Sequence, residues 1–216
     1  MIFIIDLESE DDFMKKLITI GRLYGSGGSE VAVKLAERLN IKCYDKEILL
    51  EAAKKSGIYE GVADQYDIDG QQSYFYSLIA KGQAGKIINQ PLNAQIHNEQ
   101  FQLIKSIAKE EGEGIFLGRC ADYVLREFDD VLDVYLKADL DDRVTRIAEK
   151  QNMEEAEAYK LIMRRDNQRE AYYNYYTNKK WSDLNSYDLC INLSDVGMDG
   201  AVDIILNYME IKEKNK

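Results

Sequence analysis

The residue types that most clearly indicate chemistry lie between positions 25 and 29, here called the glycine loop. Gly25, Ser26, Gly27 and Gly28 form a glycine-rich turn, and Ser29 follows it. Glycines let successive backbone N–H groups turn toward one point, and a helix that starts there adds its partial positive charge. Because phosphate groups bind at such turns, the segment predicts a site for the phosphates of a nucleotide.

The glycine loop is similar to the P-loop pattern G-x-x-x-x-G-K-[ST] but departs from it at two positions. With the second glycine of the pattern placed on Gly27, Arg22 stands at the first glycine and Gly28 at the lysine. Ser29 then occupies the hydroxyl position that contacts Mg2+. The lysine of the pattern gives its charge to the β- and γ-phosphates, and a glycine has no charge to give.

Arg22 is the nearest basic residue before the loop and is our candidate for the missing charge. We expect its side chain to fold back over the glycine loop, where a guanidinium group could reach two phosphate oxygens. A lysine introduced at Gly28 should then raise any phosphoryl-transfer activity if charge alone limits it. Two alternatives remain open: a strand-to-helix turn that binds nothing, and an Arg22 that pairs with Glu30.

A second candidate phosphate ligand follows another apolar run. Residues 114–119 predict a buried strand, and Arg119 is its last residue. In open α/β sheets ligands bind beyond the carboxyl ends of the strands, and the planar guanidinium group suits an anionic phosphate. Arg119 is therefore a candidate phosphate ligand, with an ion pair to Asp122 or Glu127 as the alternative.

A third candidate is a pair of arginines within a long, charged helical segment. Arg165 and Arg169 are four residues apart and so lie on one helical face, where two guanidinium groups can converge on one target. Phosphoryl transfer needs such groups because its transition state spreads charge over the transferred oxygens. The alternative is a solvated charged face.

Strands and helices alternate along the chain in the pattern that a parallel α/β sheet requires. Short β-branched or apolar runs predict strands over 17–20, 41–44, 114–119, 131–136 and 187–193. Helical spacing of apolar residues predicts helices over 31–39, 45–56, 140–148, 153–180 and 198–211, and a long one that begins at Pro91. The predicted fold class is α/β, with helices on both faces of the sheet and the glycine loop at its carboxyl edge.

The composition fits one domain over residues 1–216 with a net charge of −11. Such an acidic chain repels DNA and RNA, so we expect no nucleic-acid partner. Cys43, Cys120 and Cys190 lie too far apart for a zinc site or a disulfide framework, which favours a reduced, cytoplasmic protein. No apolar run is long enough to cross a membrane, and the acidic N-terminal segment lacks the features of a secretory signal.

Several longer stretches resemble one known family, the cytidylate kinase-like family of bacterial P-loop proteins. They are ITIGRLYGSGGSE, AERLNIKCYDKEILLEAAKKSG, the segment IFLGRCAD and the segment YDLCIN. The Tyr-x-x-Tyr-x-x-x-x-Trp element from Tyr173 to Trp181 is also similar to this family. That family commonly carries a glycine loop without the lysine, as this chain does.

The resemblance implies a nucleoside monophosphate kinase that uses Mg2+ with ATP and transfers the γ-phosphoryl group to a CMP-like acceptor. It implies a P-loop kinase-like, three-layer α/β/α fold with a parallel sheet. It further implies a monophosphate-binding insertion over 57–113 and a helical lid over 153–182.

The resemblance also implies roles for individual residues. Residues 25–29 would hold the ATP phosphates, and Arg119 would hold the phosphate of the acceptor. Arg165 and Arg169 would clamp the transferring group. Asp45 would orient the acceptor, although a plain helix N-cap is an equal alternative for this aspartate.

Two other functions remain open. A nucleotide-binding or sensing protein could have the same fold without efficient catalysis, and Gly28 is the residue that favours it. A partner-binding protein could use the aromatic segment 172–181 as an interface, for example with a second subunit of a homo-oligomer.

Overall fold

The central feature of the fold is a five-stranded parallel sheet. A computed structural model describes residues 16–45 and 91–215. Its elements, in chain order, are β1 (Leu17–Arg22), α1 (Gly28–Leu39), β2 (Cys43–Tyr44), α2 (Pro91–Glu111), β3 (Gly114–Leu117), α3 (Ala121–Leu125), β4 (Val131–Lys137), α4 (Leu140–Gln151), α5 (Glu155–Thr177), a 3-10 turn (Leu184–Ser186), β5 (Leu189–Asn192) and α6 (Leu193–Lys214).

The strand order is β2-β3-β1-β4-β5, and every neighbouring pair is parallel. Ile18 of β1 is in register with Ile115 of β3 on one side and Leu132 of β4 on the other. A strand in this central position is buried on both faces, which explains its continuous apolar, β-branched sequence. The predicted parallel α/β sheet is confirmed.

Helices cover both faces of the sheet and complete the three layers. On one face, α1 and α6 pack against β1 through residues that include Ile18, Leu35 and Ile205. On the other face, α2 and α3 pack against Leu17 and Phe116. Because the helices after β1 and β3 lie on opposite faces, a crevice opens between the carboxyl ends of these two strands, which is where α/β sheets bind ligands.

The pair formed by α4 and α5 stands at the same edge of the sheet. Val144 and Ile147 of α4 pack against Ala158 and Ile162 of α5. The far end of α5 returns to the sheet, where Tyr172, Tyr173, Tyr135 and Trp181 form an aromatic cluster. In this way the helix that carries Arg165 and Arg169 is fixed at both ends beside the crevice.

The element bounds differ from those predicted at several places, which include β2, β3 and the last helix. β2 has two residues rather than four, and β3 ends at Leu117. Gly118, Arg119 and Cys120 have φ values of 72°, 59° and 56°, so the chain leaves the strand before Arg119. The last helix begins at Leu193, and its regular geometry is interrupted at Gly197, where φ is 67°.

The predicted helix over 45–56 lies outside the described residues except for Asp45. Most of the predicted monophosphate-binding insertion, residues 57–90, also lies outside them. Within residues 16–45 and 91–215, no helix combines the length and the apolar character needed to cross a membrane.

Candidate functional site

The glycine loop connects β1 to α1 in a compact turn. Leu23 O accepts hydrogen bonds from the Ser26 backbone N–H (3.3 Å) and from Ser26 Oγ (2.9 Å). Ser26 Oγ in turn accepts the Gly28 N–H at 3.2 Å. Gly25 and Gly27 have φ values of 78° and 93°, which favour glycine, and α1 begins directly after Gly27. The loop therefore places a turn of backbone N–H groups at the N-terminus of a helix, as predicted.

A larger residue at Gly27 would meet two neighbouring side chains. A Cβ atom at this position would be 2.7 Å from Arg146 Nη1 and 2.8 Å from Met198 Cε. Arg146 belongs to α4 and Met198 to α6, so two helices close on the loop at this glycine. The φ angle therefore favours glycine, and any larger residue would also have to displace the ends of these two flexible side chains.

Arg22 passes over the position that the consensus lysine would occupy. A Cβ atom at Gly28 would lie 2.8 Å from Arg22 Cβ and 3.1 Å from Arg22 Cγ. A Cβ atom at Gly118 would overlap Arg22 Nη1. The aliphatic part of Arg22 thus covers the start of α1, and its guanidinium group crosses Gly118 toward the crevice.

Three predicted site residues meet in that crevice. Arg22 Nη2 lies 3.7 Å from Asp45 Oδ1, and Arg119 Nη2 lies 3.8 Å from the same oxygen. The side chains of Arg22 and Arg119 are only 13% and 8% exposed. Two largely buried guanidinium groups therefore converge on one carboxylate at the carboxyl ends of β1 and β3.

Two of the carboxylates named above as alternative partners of these arginines, Glu30 and Glu127, have other basic partners in the structure. Glu30 binds Lys150 of α4 at 3.0 Å. Glu127 lies 3.5 Å from Lys105 and 3.6 Å from Arg126. These contacts give both carboxylates basic partners away from the crevice.

Arg165 and Arg169 also converge, at the entrance of the glycine loop. Their Cζ atoms lie 5.9 Å and 5.4 Å from the centroid of the Tyr24 ring, within the range of a cation–π contact. Arg169 Nη1 donates a hydrogen bond to Arg22 O at 2.7 Å. The predicted convergence on one helical face thus brings both groups next to the loop.

A cavity of about 50 Å3 lies against the arginines of the crevice. Arg22, Arg119 and Arg169 line it together with Asp122 and an aromatic group made of Tyr172, Tyr173, Trp181 and Tyr187. A cavity of this size has room for a few water molecules or a small oxyanion. The sequence analysis named Asp122 only as an alternative ion-pair partner of Arg119, and the fold places it on the wall of this cavity.

Two carboxyl groups near this cavity have raised pKa values. Burial raises the pKa of Asp122, although the hydrogen bond that the Tyr173 hydroxyl donates to it acts in the opposite direction. Burial also raises the pKa of Asp133 to about 6, against the effect of a hydrogen bond from Thr19 Oγ1 and with the help of Asp122 and Asp188. Both carboxyl groups therefore take up a proton more easily than an aspartate in water does.

Sequence reasoning missed three residues of α4 and α5 that bind the glycine loop. Arg143 and Arg146 donate hydrogen bonds to loop carbonyl groups, and Asp166 accepts one from the Tyr24 N–H at 2.7 Å. Arg143 and Arg146 are three residues apart on one helical face, a spacing that could have signalled a shared target. Their target could not be read from the sequence, since it lies about 120 residues away.

The described residues fit a nucleotide-bound Mg2+ better than a metal centre made by the protein. No group of three or more His, Cys, Asp or Glu side chains in the described ranges could hold a metal ion. Ser29 is exposed in the first turn of α1, and its hydroxyl oxygen is a ligand type that Mg2+ accepts. Mg2+ commonly takes most of its remaining ligands from phosphates and water.

Comparisons with known proteins give one family and several relatives. Residues 17–195 match the profile of the cytidylate kinase-like family. A cytidylate kinase from Saccharolobus islandicus is 26% identical over 205 residues, which cover 92% of this chain and 93% of the relative. A cytidylate kinase from Methanopyrus kandleri is 29% identical over 198 residues, covering 88% and 90% of the two chains.

Solved structures show the same architecture. The crystal structure of an uncharacterized protein from Eubacterium ventriosum superposes with a TM-score of 0.70 at 30% identity, covering 91% of this chain and 99% of the other. Shikimate kinase from Bacteroides thetaiotaomicron superposes with a TM-score of 0.51 at 12% identity, covering 90% and 98% of the two chains. The second likeness concerns the fold alone.

Proposed function

The chain belongs to the cytidylate kinase-like family, and from that premise we propose that it is a nucleoside monophosphate kinase. The reaction is transfer of the γ-phosphoryl group of ATP to a monophosphate acceptor of the CMP or dCMP type. The cytidylate kinases among its relatives support this choice of acceptor. Catalysis of this kind needs positioning and charge neutralisation, and no covalent intermediate on the protein.

The observation that carries the proposal is the convergence of Arg22 and Arg119 on Asp45 beside the glycine loop. A kinase must bring two anionic groups together, and it must neutralise their mutual repulsion. A crevice with two largely buried guanidinium groups next to a turn of backbone N–H groups offers such an environment.

In this proposal each element of the site has one task. The backbone N–H groups of residues 25–29 bind the ATP phosphates, and Arg22 extends from the lysine position toward the transferring phosphoryl group. Arg119 binds the acceptor phosphate, and Asp45 orients the acceptor. Arg165 and Arg169, in the lid over 153–182, reach the transferred oxygens from the entrance of the loop.

Mg2+ with ATP belongs to the same proposal. When bound, Mg2+ neutralises charge on the β- and γ-phosphates. Ser29 is the residue of this chain that would hold it, through its exposed hydroxyl group. The protein contributes the backbone N–H groups and the arginines around that ion.

A turnover assay tests the proposal. The protein is mixed with ATP, Mg2+ and one monophosphate at a time, from a panel of CMP, dCMP, UMP, AMP and GMP, and the nucleoside diphosphate product is measured. We expect product with CMP or dCMP at rates well above those of the other acceptors. Absence of product with every monophosphate would reject the kinase assignment.

Gly28 specifically favours a second candidate, a nucleotide-binding or sensing protein of the same fold. Losing one charge that acts on the transferring phosphate can cost about 3 kcal/mol of activation free energy. Titration calorimetry with ATP distinguishes this candidate from the first when it is read together with the turnover assay. Binding of ATP without turnover supports the sensing function. A protein that shows no binding and no turnover would reject both candidates.

A further inference from the structure

Backbone carbonyl groups at the start of the glycine loop are bound by arginines from α4 and α5. Arg146 Nη1 binds Gly25 O at 3.1 Å and also binds Ser26 O. Arg143 Nη1 binds Tyr24 O at 3.3 Å. Arg169 Nη1 binds Arg22 O, as described above. Together with Leu23 O, which accepts from Ser26, five consecutive carbonyl groups from Arg22 to Ser26 have hydrogen-bond donors.

These contacts decide which way the peptide groups of the loop face. In a planar trans peptide the C=O of one residue and the N–H of the next point in opposite directions. Since Arg146 holds the Ser26 carbonyl on the side of α4, the Gly27 N–H points away from α4. Phosphates at a turn of this kind are bound by N–H groups, so the face opposite α4 is the phosphate side.

The loop itself has little that would fix this orientation. Glycine adopts positive and negative φ values with almost equal ease, and it loses more conformational entropy on ordering than any other residue. Of the three residues whose carbonyls Arg143 and Arg146 bind, Tyr24 adjoins this glycine-rich stretch, and Gly25 and Ser26 belong to it. The arginines therefore supply a restraint that the loop sequence lacks.

The position of Arg143 is itself fixed by a carboxylate. Arg143 Nη1 lies 2.5 Å from Asp166 Oδ2, and Asp166 Oδ1 accepts the Tyr24 N–H at 2.7 Å. Arg143 is buried, and this partner offsets the cost of removing its positive charge from water. Asp166 thus joins α5, α4 and the loop in one hydrogen-bonded unit.

We propose that Arg143 and Arg146 are positioning residues that hold the carbonyl groups of residues 24–26 so that the N–H groups of Gly25 and Gly27 face the bound phosphates. Neither residue needs to touch the nucleotide in this role. The inference rests on the proposed function for its effect on ATP, but its effect on the loop exists without any ligand. It assigns to α4 a role in triphosphate affinity that the P-loop sequence pattern does not contain.

The test compares Arg146→Ala and Arg146→Lys with a control on the same helix. Lys150 lies about one turn further along α4 and binds Glu30 of α1 at 3.0 Å. Lys150→Ala therefore removes a link between α4 and α1 without removing a hydrogen bond to the loop. Arg146→Lys keeps the long side chain and one N–H donor, and it remains informative if the alanine variant does not fold.

Two measurements are made on each protein. Hydrogen exchange of the Ser26, Gly27 and Gly28 amides is followed by NMR without ligand, and ATP binding is measured by calorimetry. In Arg146→Ala we expect exchange at these amides to speed up, and ATP affinity to fall, by at least about tenfold, the scale of a lost charged hydrogen bond. Arg146→Lys should lie between alanine and wild type, and Lys150→Ala should match wild type in both measurements.

The outcomes separate this inference from the proposed function. Faster loop exchange in Arg146→Ala, in a protein whose wild type does not bind ATP, supports the positioning role and rejects the nucleotide function. Weaker ATP binding with unchanged loop exchange overturns the positioning role, because Arg146 would then act on the ligand directly. Wild-type behaviour of Arg146→Ala in both measurements, or equal effects of Lys150→Ala and Arg146→Ala, also overturns it.

Discussion

The two groups of arginines around the glycine loop differ in what they bind. In the crevice, Arg22 and Arg119 lie 3.7 Å and 3.8 Å from one Asp45 oxygen, longer than a hydrogen bond. On the side of α4, Arg143 and Arg146 bind backbone carbonyl groups at hydrogen-bond distance. The arginines of the crevice converge on a carboxylate, whereas those on the side of α4 also bind the main chain.

In the proposed function, Arg22 and Arg119 act on the ligand, whereas Arg143 and Arg146 support the backbone of the loop. A phosphate group carries more negative charge than one carboxylate and accepts two parallel N–H groups from an arginine. In the proposed function a phosphate would therefore bind Arg119 through paired N–H groups beside Asp45. No ligand can replace the carbonyl partners of Arg146 without changing the path of the loop itself.

The largest expected effect comes from Gly27→Val, which acts on both sides at once. The new side chain would meet Arg146 and Met198 at less than 3 Å and would require an unfavourable positive φ angle. We expect no measurable ATP binding by calorimetry. Gly200→Ala is the matched control, since its Cβ would come no closer than 3.4 Å to Val196. Wild-type ATP affinity in Gly27→Val would show that the loop is only a turn.

The next largest effect is expected from Arg119→Ala, which removes a charge from the crevice alone. Because a charged hydrogen bond contributes about 1.5–3 kcal/mol, KM for the monophosphate should rise about tenfold to a hundredfold. The KM for ATP should change little. Arg126→Ala serves as control, because Arg126 is exposed and binds Tyr123 O and Glu127 outside the crevice. An unchanged monophosphate KM in Arg119→Ala would remove Arg119 from the acceptor site.

The features that the sequence predicted are those encoded locally. The strand β1, the glycine turn and the start of α1 follow one another within residues 17–29, and their order alone indicates a phosphate-binding turn. Arg165 and Arg169 meet because they are four residues apart on a helix. Such relations need no knowledge of how distant elements pack.

The features that escaped prediction depend on distant elements. Arg146 reaches Ser26 across 120 residues, and Asp166 reaches Tyr24 across 142. The course of Arg22 agrees with the expectation in one respect, because its aliphatic part covers the glycine loop at Gly28. Its guanidinium group turns to the crevice because Gly118, which directly follows β3, leaves room for it. No local pattern around Arg22 contains that information.

A smaller effect should reveal the coupling of Arg22 and Gly28. The sequence alone suggested that Gly28→Lys would raise activity, but the lysine Cβ would lie 2.8 Å from Arg22 Cβ. We therefore expect Gly28→Lys to lower kcat, and Gly28→Lys combined with Arg22→Ala to recover part of the loss. Neighbouring residues that share space typically show coupling of about 0.5–3 kcal/mol in such a cycle.

The four proteins of this cycle are compared by kcat and by ATP affinity. Arg22→Ala alone should weaken both triphosphate and acceptor binding, because its guanidinium group lies between the two sites. Strictly additive effects on kcat would mean that Arg22 does not occupy the lysine position. Equal ATP affinity in wild type and Arg22→Ala would count against its proposed charge role.

The smallest expected effect concerns Asp133, which lies below the crevice and contacts neither group of arginines in the proposal. Burial raises its pKa from 3.8 to about 6, so between these pH values the folded protein binds more protons than the unfolded chain. The contribution of the Asp133 pKa shift to the free energy of unfolding is complete below pH 4 and is lost as the pH rises through about 6. With allowance for partial solvent exposure, the loss is about 1 kcal/mol.

Asp133→Asn removes this titration while keeping an oxygen for the Thr19 hydroxyl. Urea unfolding of the wild type should give a free energy of unfolding that falls from pH 4.5 to pH 7 more steeply than in the variant, by about 1 kcal/mol. Asp188→Asn is the comparison, since Asp188 binds the Asp133 N–H at 3.0 Å and faces the same carboxyl group. It should lower the pKa of Asp133 and flatten the slope only in part. Parallel pH profiles for wild type and Asp133→Asn would mean that Asp133 is ionised in the folded protein throughout this range, and the crevice would then rest on a permanent negative charge.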